Sequence, residues 1–265
     1  MQSTKNEGTS SIQKSLAILD LFTWDNPTRT LSEIVEAMDI PLPTASRIVN
    51  TLCSKGFLEK NGRAYQLGWK CCRMGAVYRA SDPAKALLEP VMRELRDQFN
   101  ETVNAYRRNG NWRICIEQVP STHVLKRFAN LGDSLPLWAG ASGRCFMAWM
   151  TPKELQSLRA EIPPEAAARW DSMMERCELV RRHGFTVSVA EREQGISSIS
   201  SPVFDFSRTP VVVLAISGPS FRFTDDLVAR IIPALTAATR DLSRALGAPE
   251  KMLSFTLPDT LAPYL

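Results

Sequence analysis

The sequence predicts an α+β protein in two parts. Three observations carry that prediction. Residues 12–52 hold three short apolar runs at helical spacing. Asn61-Gly62 then separates two short extended runs, the strongest short-range signal for a hairpin. Beyond residue 83, extended runs alternate with capped helical segments, as in a largely antiparallel sheet backed by helices. A length of 265 residues suits two domains of unequal size. With 44% hydrophobic and 23% charged residues, the chain is neither disordered nor fibrous. Its longest strictly apolar runs, Cys145 to Met150 and Val211 to Ile216, fall far short of the roughly 20 residues of a membrane span. Residues 1–11 are polar and lack the apolar core of a secretion signal, so a cytoplasmic protein with no membrane partner is expected.

The elements of the first part follow in order. Ser11 is a candidate cap for a helix with apolar positions Ile12, Leu16, Leu19 and Phe22. Residues 24–27, Trp-Asp-Asn-Pro, form a turn cluster. Thr30 and Glu33 have capping-box spacing and open a second helix, with Ile34, Val35 and Met38 inward. A short turn over residues 39–42 leads to a third helix. Pro43 sits in its first turn, Ala45, Ile48, Val49 and Leu52 form its buried stripe, and Gly56 lies past its end. Two helices joined by so short a turn pack steeply, as in a helix-turn-helix. The hairpin that follows is a wing. Residues 68–82 read as a further helix containing Gly75.

Charge adds a partner. Residues 40–80 hold seven basic side chains against a single acid, Glu59, inside a chain of net charge +4. That local excess suits a polyanion. The outward face of the third helix carries Pro43, Thr44, Ser46, Arg47, Asn50 and Thr51, with no carboxylate among them. Such side chains approach base edges and phosphates without repulsion. Lys60 and Arg63 flank the tip of the wing, within reach of phosphate or the minor groove. Double-stranded DNA is therefore the expected partner. A winged helix that docks another protein is the alternative.

In the second part, Leu87, Leu88, Val91, Leu95 and Phe99 mark one face of a long helix. Residues 102–108 and 112–119 form a hairpin around Asn109-Gly110, and residues 123–128 read as another strand. Thr151, Pro152 and Glu154 start a helix. Residues 164–182 are helical up to Gly184, and residues 185–190, 199–204 and 211–217 are strands. Thr224 caps a last helix, which Pro233 is expected to kink. Gly140, Ala141, Ser142 and Gly143 stand at a loop-to-helix start, where small residues leave N–H groups open to an anion such as a carboxylate. Close packing against a strand explains the same residues. Glu191 to Ser201 places Glu191, Glu193 and four serines beside a strand, lining a polar pocket or facing water.

Enzymatic chemistry finds little support. The chain has no nucleophile-elbow, dinucleotide or phosphate-loop motif, and only two histidines, His123 and His183. Ser142 or Cys145 with His123 is the residual arrangement. His183, at a helix end, is expected to meet the last carbonyls. The six cysteines form no C-x-x-C pair, so neither a zinc site nor a disulfide scaffold is expected. No catalytic residue, metal or cofactor is assigned.

The ordered set of residues 40–47, Thr51-Leu52, Gly56, residues 65–68, Gly132, Leu137, residues 140–144, residues 182–185, Glu191, Gly195, residues 201–205 and residues 216–219 resembles the IclR family of bacterial transcriptional regulators. The likeness runs from about Ile12 to Leu246. It implies a winged helix-turn-helix over residues 1–68, a linker helix over 69–82 and a GAF-like effector-binding domain over 83–265. It implies a homodimer or tetramer on a palindromic operator, with a small organic acid or aromatic compound as effector. The family's pocket maps onto the backbone of Gly140 and Ala141 and onto Ser188, Ser198, Ala215 and Ser217. Ser142 and Glu191 adjoin it. Some members carry an acid where Ser188 stands, a cysteine at Ser198 and a serine at Ala215. The effector implied here is accordingly not the small oxoacid of those members. Trp138, Phe146 and Trp149 suit something larger or aromatic there, or are core residues.

Overall fold

Three capping boxes set helix starts in the computed structural model, which describes residues 10–81, 83–191 and 193–258. In each, a hydroxyl accepts from the backbone N–H three residues on, and the Gln or Glu at that position accepts from the cap's own N–H. The pairs are Ser10 with Gln13, Thr30 with Glu33, and Thr151 with Glu154. The first cap is thus Ser10, not Ser11. The chain separates into two units, residues 1–83 and 84–265.

The N-terminal unit runs α1 (Ser11–Asp20), β1 (Thr28–Thr30), α2 (Leu31–Met38), α3 (Leu42–Ser54), β2 (Leu58–Asn61), β3 (Ala64–Leu67) and α4 (Trp69–Ala80). Ile18, Phe22, Ile34, Ile48, Val49, Leu52, Leu58 and Tyr65 form its core. All four inward positions read on α3 are buried. In α1 the phase differs from the expected one. Ile12 and Leu16 are 73% and 57% exposed, and Ile18 enters the core instead. Spacing alone offered two stripes on this helix, and packing against α2 and α3 selected the second. The sheet order is β1-β3-β2, all antiparallel. The three-residue β1 is too short to show a period of its own. Asn61 pairs with Ala64, so the hairpin turn is Gly62-Arg63 rather than Asn61-Gly62. Gly62 has φ 62° and Arg63 is not among the positive-φ residues, the pattern of a type II′ turn with glycine first.

The C-terminal unit runs α5 (Pro83–Phe99), β4 (Thr102–Asn109), β5 (Trp112–Val119), β6 (Ser134–Pro136), α6 (Ala141–Met147), α7 (Pro152–Glu161), α8 (Pro164–Ala167), α9 (Trp170–His183), β7 (Thr186–Val189), β8 (Ile196–Phe204), β9 (Pro210–Pro219) and α10 (Asp225–Ala245). Six antiparallel strands lie in the order β6-β5-β4-β9-β8-β7. Strand alternation divides the core between the two faces. Val103, Ala105, Ile199, Val203, Val212, Leu214 and Ile216 pack with α5 and α10. Tyr106, Cys115, Val213 and Ala215 pack with α6 and α9. On α5 the buried positions are Ala84, Leu88, Met92, Leu95 and Phe99, while Leu87 is 38% exposed.

Two further expectations change. Residues 123–128 are not a strand, because side chains take the carbonyls a neighbouring strand would need. Thr102 Oγ1 donates to the Arg127 carbonyl at 2.7 Å, and Arg222 Nη1 to the Leu125 carbonyl at 3.0 Å. The helix expected over residues 164–182 is two, broken at Arg169 (φ −104°, ψ 12°), which lets Trp170 turn into the core. His183 Nδ1 lies within hydrogen-bond distance of the Thr256 carbonyl. α10 runs as one helix with Pro233 inside it.

Candidate functional site

The outward side of α3 follows from its inward one. Once Ala45, Ile48, Val49 and Leu52 are buried, the 3.6-residue period turns Pro43, Arg47, Asn50 and Thr51 to solvent. Thr44 and Ser46 are half-buried at the margin. Thr51 Oγ1 donates back to the Arg47 carbonyl at 2.9 Å, which occupies that hydroxyl's proton. The side chains of Arg47 and Asn50 make no hydrogen bond or ion pair among the described residues. Both are therefore available to a partner. Lys60 is exposed on β2, paired across the hairpin with Tyr65, and Arg63 is exposed at the turn itself.

In the C-terminal unit, register assembles what sequence had scattered. Ser188 pairs with Ser198, and Ser198 with Ser217, so three serines form one row across β7, β8 and β9. The next row holds Thr186, Ser200, Ala215 and Asn104. Both rows lie on the α6 face. Ser188, Ser198 and Ser217 line a cavity of about 40 Å³ together with Gly140, Ala141 and Ser142. That volume admits only a few waters. Glu191 and Ala215 do not line it. Ala215 is packed into the core one row away, and Glu191 borders a different cavity.

Sequence reading missed the side chains that charge and orient this cavity. Arg113 and Arg127 line it, with Glu193 and Tyr106. Arg113 is 2% exposed, donates to the Pro136 carbonyl and stands 5.6 Å from the Tyr106 ring centre. It shares strand parity with buried Cys115, the one signal that could have placed it inward. Arg127 pairs with Glu193 at 3.3 Å. Gln118 donates to Asn104 Oδ1 at 2.7 Å, and Asn104 donates to Ser217 Oγ at 3.0 Å. Ser217 thus accepts, and its own proton remains to donate. α6 has only seven residues, barely two turns, so arginines rather than a helix dipole supply the positive potential.

The second cavity, about 330 Å³, lies against the same Gly140 and is bordered by Trp138, Arg144, Arg169, Arg176 and Glu191. Arg144 is 3% exposed, its Nη2 donating to the Val187 carbonyl at 2.5 Å and its Nε to Thr186 at 3.3 Å. Glu191 bridges Arg144 and Arg176, the latter at 3.0 Å. Of the aromatic residues expected near the pocket, only Trp138 borders it. Phe146 is core, and Trp149 packs against Phe204 with ring centres 4.8 Å apart.

Burial pushes the Cys115 thiol up to about 12 and Cys177 to about 11, and raises Cys145 further. A nucleophilic cysteine needs the opposite shift. Among the described residues no group of ligands could hold a metal ion, and no helix is long and apolar enough to cross a membrane.

Comparison with known proteins adds the relationship. Residues 79–244 match the family model for the C-terminal region of the bacterial transcriptional regulator IclR, and residues 11–62 match the IclR helix-turn-helix domain. The chain is 27% identical over 243 residues to the HTH-type transcriptional regulator KipR of Bacillus subtilis, covering 89% of this chain and 97% of KipR. It is 28% identical over 251 residues to the HTH-type transcriptional repressor AllR of Escherichia coli K12, covering 91% and 92%. The fold is shared with an IclR homologue from Microbacterium hydrocarbonoxydans crystallised with 4-hydroxybenzoate, at a TM-score of 0.77 and 19% identity over 89% of this chain and 99% of that one. With a helix-turn-helix in front and the IclR C-terminal region behind, the chain belongs to the IclR family of bacterial transcriptional regulators.

Proposed function

We propose that this protein is a ligand-responsive regulator that grips operator DNA with residues 1–68 and senses a carboxylate or aromatic acid with residues 83–265. Residues 69–82 link the two. The observation that carries the reading is the outward face of α3, where Arg47 and Asn50 stand exposed with no side-chain hydrogen bond or ion pair among the described residues. In this reading α3 enters the major groove, Arg47 and Asn50 contact base edges, and Pro43, Thr44, Ser46 and Thr51 lie along the backbone. Lys60 and Arg63 hold phosphate or the minor groove. Two copies of the chain on a palindromic site double the contact. The sensing region centres on the Gly140 segment, with Ser142, Ser188, Ser198 and Ser217 as polar contacts. The homologue holding 4-hydroxybenzoate supports an aromatic acid as the effector class. A ligand changes DNA affinity only to the extent that it binds two arrangements of the protein unequally.

The test is a fluorescence-anisotropy titration of the intact protein against genomic fragments at several salt concentrations. Specific binding is expected, with each neutralised phosphate adding about −0.9 to the log–log salt slope. A well-folded protein that ignores every fragment, or binds with a flat slope, removes the DNA reading in favour of a protein-docking winged helix.

A further inference from the structure

The serine-lined cavity, at about 40 Å³, admits a few waters but no ring-sized acid. A pocket for such a ligand needs roughly 300 Å³ or more. An acid that reaches the serine row therefore enters only when the wall parts, and the wall shows where it can. Ser188, Ser198 and Ser217 stand on three strands held in register. Gly140, Ala141 and Ser142 are buried at the start of α6, which Gly143 sets tightly against the Leu137 carbonyl. Neither group yields without unpairing strands or shifting close-packed backbone. Arg127 and Glu193 differ. They line the cavity from the connections between β5 and β6 and between β7 and β8. Their side chains are 18% and 46% exposed, whereas Arg113, Ser142, Ser188 and Ser217 are 5% exposed or less. The mouth is therefore on their side. The backbone before Arg127 is tied down by groups that do not line the cavity. Ser121 Oγ donates to the Asn100 carbonyl at 2.6 Å, Thr102 Oγ1 to the Arg127 carbonyl, and Arg222 to the Leu125 carbonyl. Arg222 is itself held by Glu101, which is 1% exposed. From this fixed base the Arg127 side chain reaches across to Glu193.

We propose that the Arg127–Glu193 ion pair is a latch across the mouth of the serine cavity, which stays shut until the two side chains part. A partly exposed pair suits that task. Such pairs shift an equilibrium by no more than about fivefold, enough to bias the mouth toward closed and too little to seal it. Thermal motion opens it, and the frequency of opening limits how fast a ligand enters. Salt screens the pair and loosens the latch. The latch regulates the pocket of the sensor reading and rests on that reading only for what passes through it.

The test needs no ligand. Ser188→Cys places a thiol on the cavity wall of the intact chain, and its labelling by methyl methanethiosulfonate, an uncharged reagent, is followed by peptide mass mapping. Ser142→Cys is the second reporter should the first fold poorly. Labelling is expected to be slow in the reporter chain and about two- to fivefold faster when Glu193→Gln or Arg127→Met is added. Glu250→Gln, which loosens the distant Arg244 pair, should leave the rate unchanged. Going from about 0.1 M to about 1 M salt shortens the screening length from about 10 Å to about 3 Å. That should speed the reporter chain toward the Glu193→Gln rate and barely move Glu193→Gln itself. The latch is overturned if both of its variants label like the reporter chain, if Glu250→Gln speeds labelling equally, or if the reporter chain already labels as fast as unfolded protein. If the latch variants label faster yet neither benzoate nor 4-hydroxybenzoate binds the intact protein in isothermal titration, the latch stands and the aromatic-acid sensor reading fails.

Discussion

The two units place their candidate sites in opposite environments. In the N-terminal unit Arg47, Asn50, Thr51, Lys60 and Arg63 are exposed, and the core beneath them is wholly apolar apart from the Tyr65 hydroxyl. In the C-terminal unit Arg113, Ser142, Arg144, Ser188 and Ser217 are all buried. An exposed side chain can change without disturbing the fold. A buried polar one cannot, because whatever it leaves behind loses its partner in a low-dielectric interior. Substitutions at the first site should therefore move binding alone, and those around the second should move stability and binding together.

The largest effect that can break this contrast is expected at Gly143. A Cβ there would sit 1.9 Å from the Leu137 carbonyl oxygen and 2.9 Å from Arg113 Nη1. The obstacle is backbone, which cannot rotate away. Gly143→Ala is expected to cost about 3 kcal/mol or more. That lowers the thermal transition of the C-terminal unit by roughly 6–12 °C. A calorimetric scan with an unshifted transition would show that the approach of α6 to residues 135–137 is slack.

Next comes Arg47→Ala, expected to weaken specific DNA binding by about 1–3 kcal/mol with no shift in melting temperature. Anisotropy and melting curves on one preparation decide this. A matching loss of stability would mean that Arg47 is structural, and the contrast between the units would fail.

Smaller effects come from the helix caps, which compare the units directly. Thr30→Ala and Thr151→Ala each remove a capping box, for about 1 kcal/mol. The same loss should shift the smaller unit's transition by about 4–8 °C and the larger unit's by about 2–4 °C. Hydrogen bonds from the cap residue's backbone N–H and from its hydroxyl hold the Glu33 and Glu154 carboxyls below their ordinary range, and the alanine variants lose the second. A carboxyl with a depressed value contributes stability at neutral pH and loses it as pH falls through that value. The gap between parent and variant should then shrink below about pH 4. A pH-independent gap would mean that the cap hydroxyls act without the glutamates.

The mildest probe is alkylation. Cys72 is exposed, whereas Cys115, Cys145 and Cys177 are buried with thiols pushed up by desolvation. Cys72 should react first near pH 8, and those three only on unfolding. Early labelling of Cys145 or Cys177 would reveal opening around α6.

Much of the fold could be read locally. Every buried position of α3, two of the capping boxes at their true residues, and strands β4, β5 and β9 followed from period and cap chemistry. The failures share a cause. Ile12 and Leu16 satisfy a helical period as well as Ile18 and Phe22 do, and only the neighbouring helices select between them. Residues 123–128 have the composition of a strand, but their carbonyls at Leu125 and Arg127 were taken by Arg222 and Thr102, one of them nearly a hundred residues away. The exposed face of α3 was legible because its alternative was the buried stripe. Of the residues expected at the pocket, Ser142, Ser188, Ser198 and Ser217 line the small cavity, Ala215 lies one row over, and Arg113 and Arg127, which also line it, went unread.

By itself the sequence determined the elements whose reasons are short-ranged: capped helices, the glycine turn of the wing, the basic stretch over residues 40–80 and the order of motifs that marks the IclR family. Tertiary structure alone decided that Ser188, Ser198 and Ser217 form one row, that Arg113 lies beneath Gly143, and that Glu191 joins α6 to α9. Strand register and the approach of one segment to another depend on partners far along the chain. A one-residue slip in register would turn each serine to the opposite face.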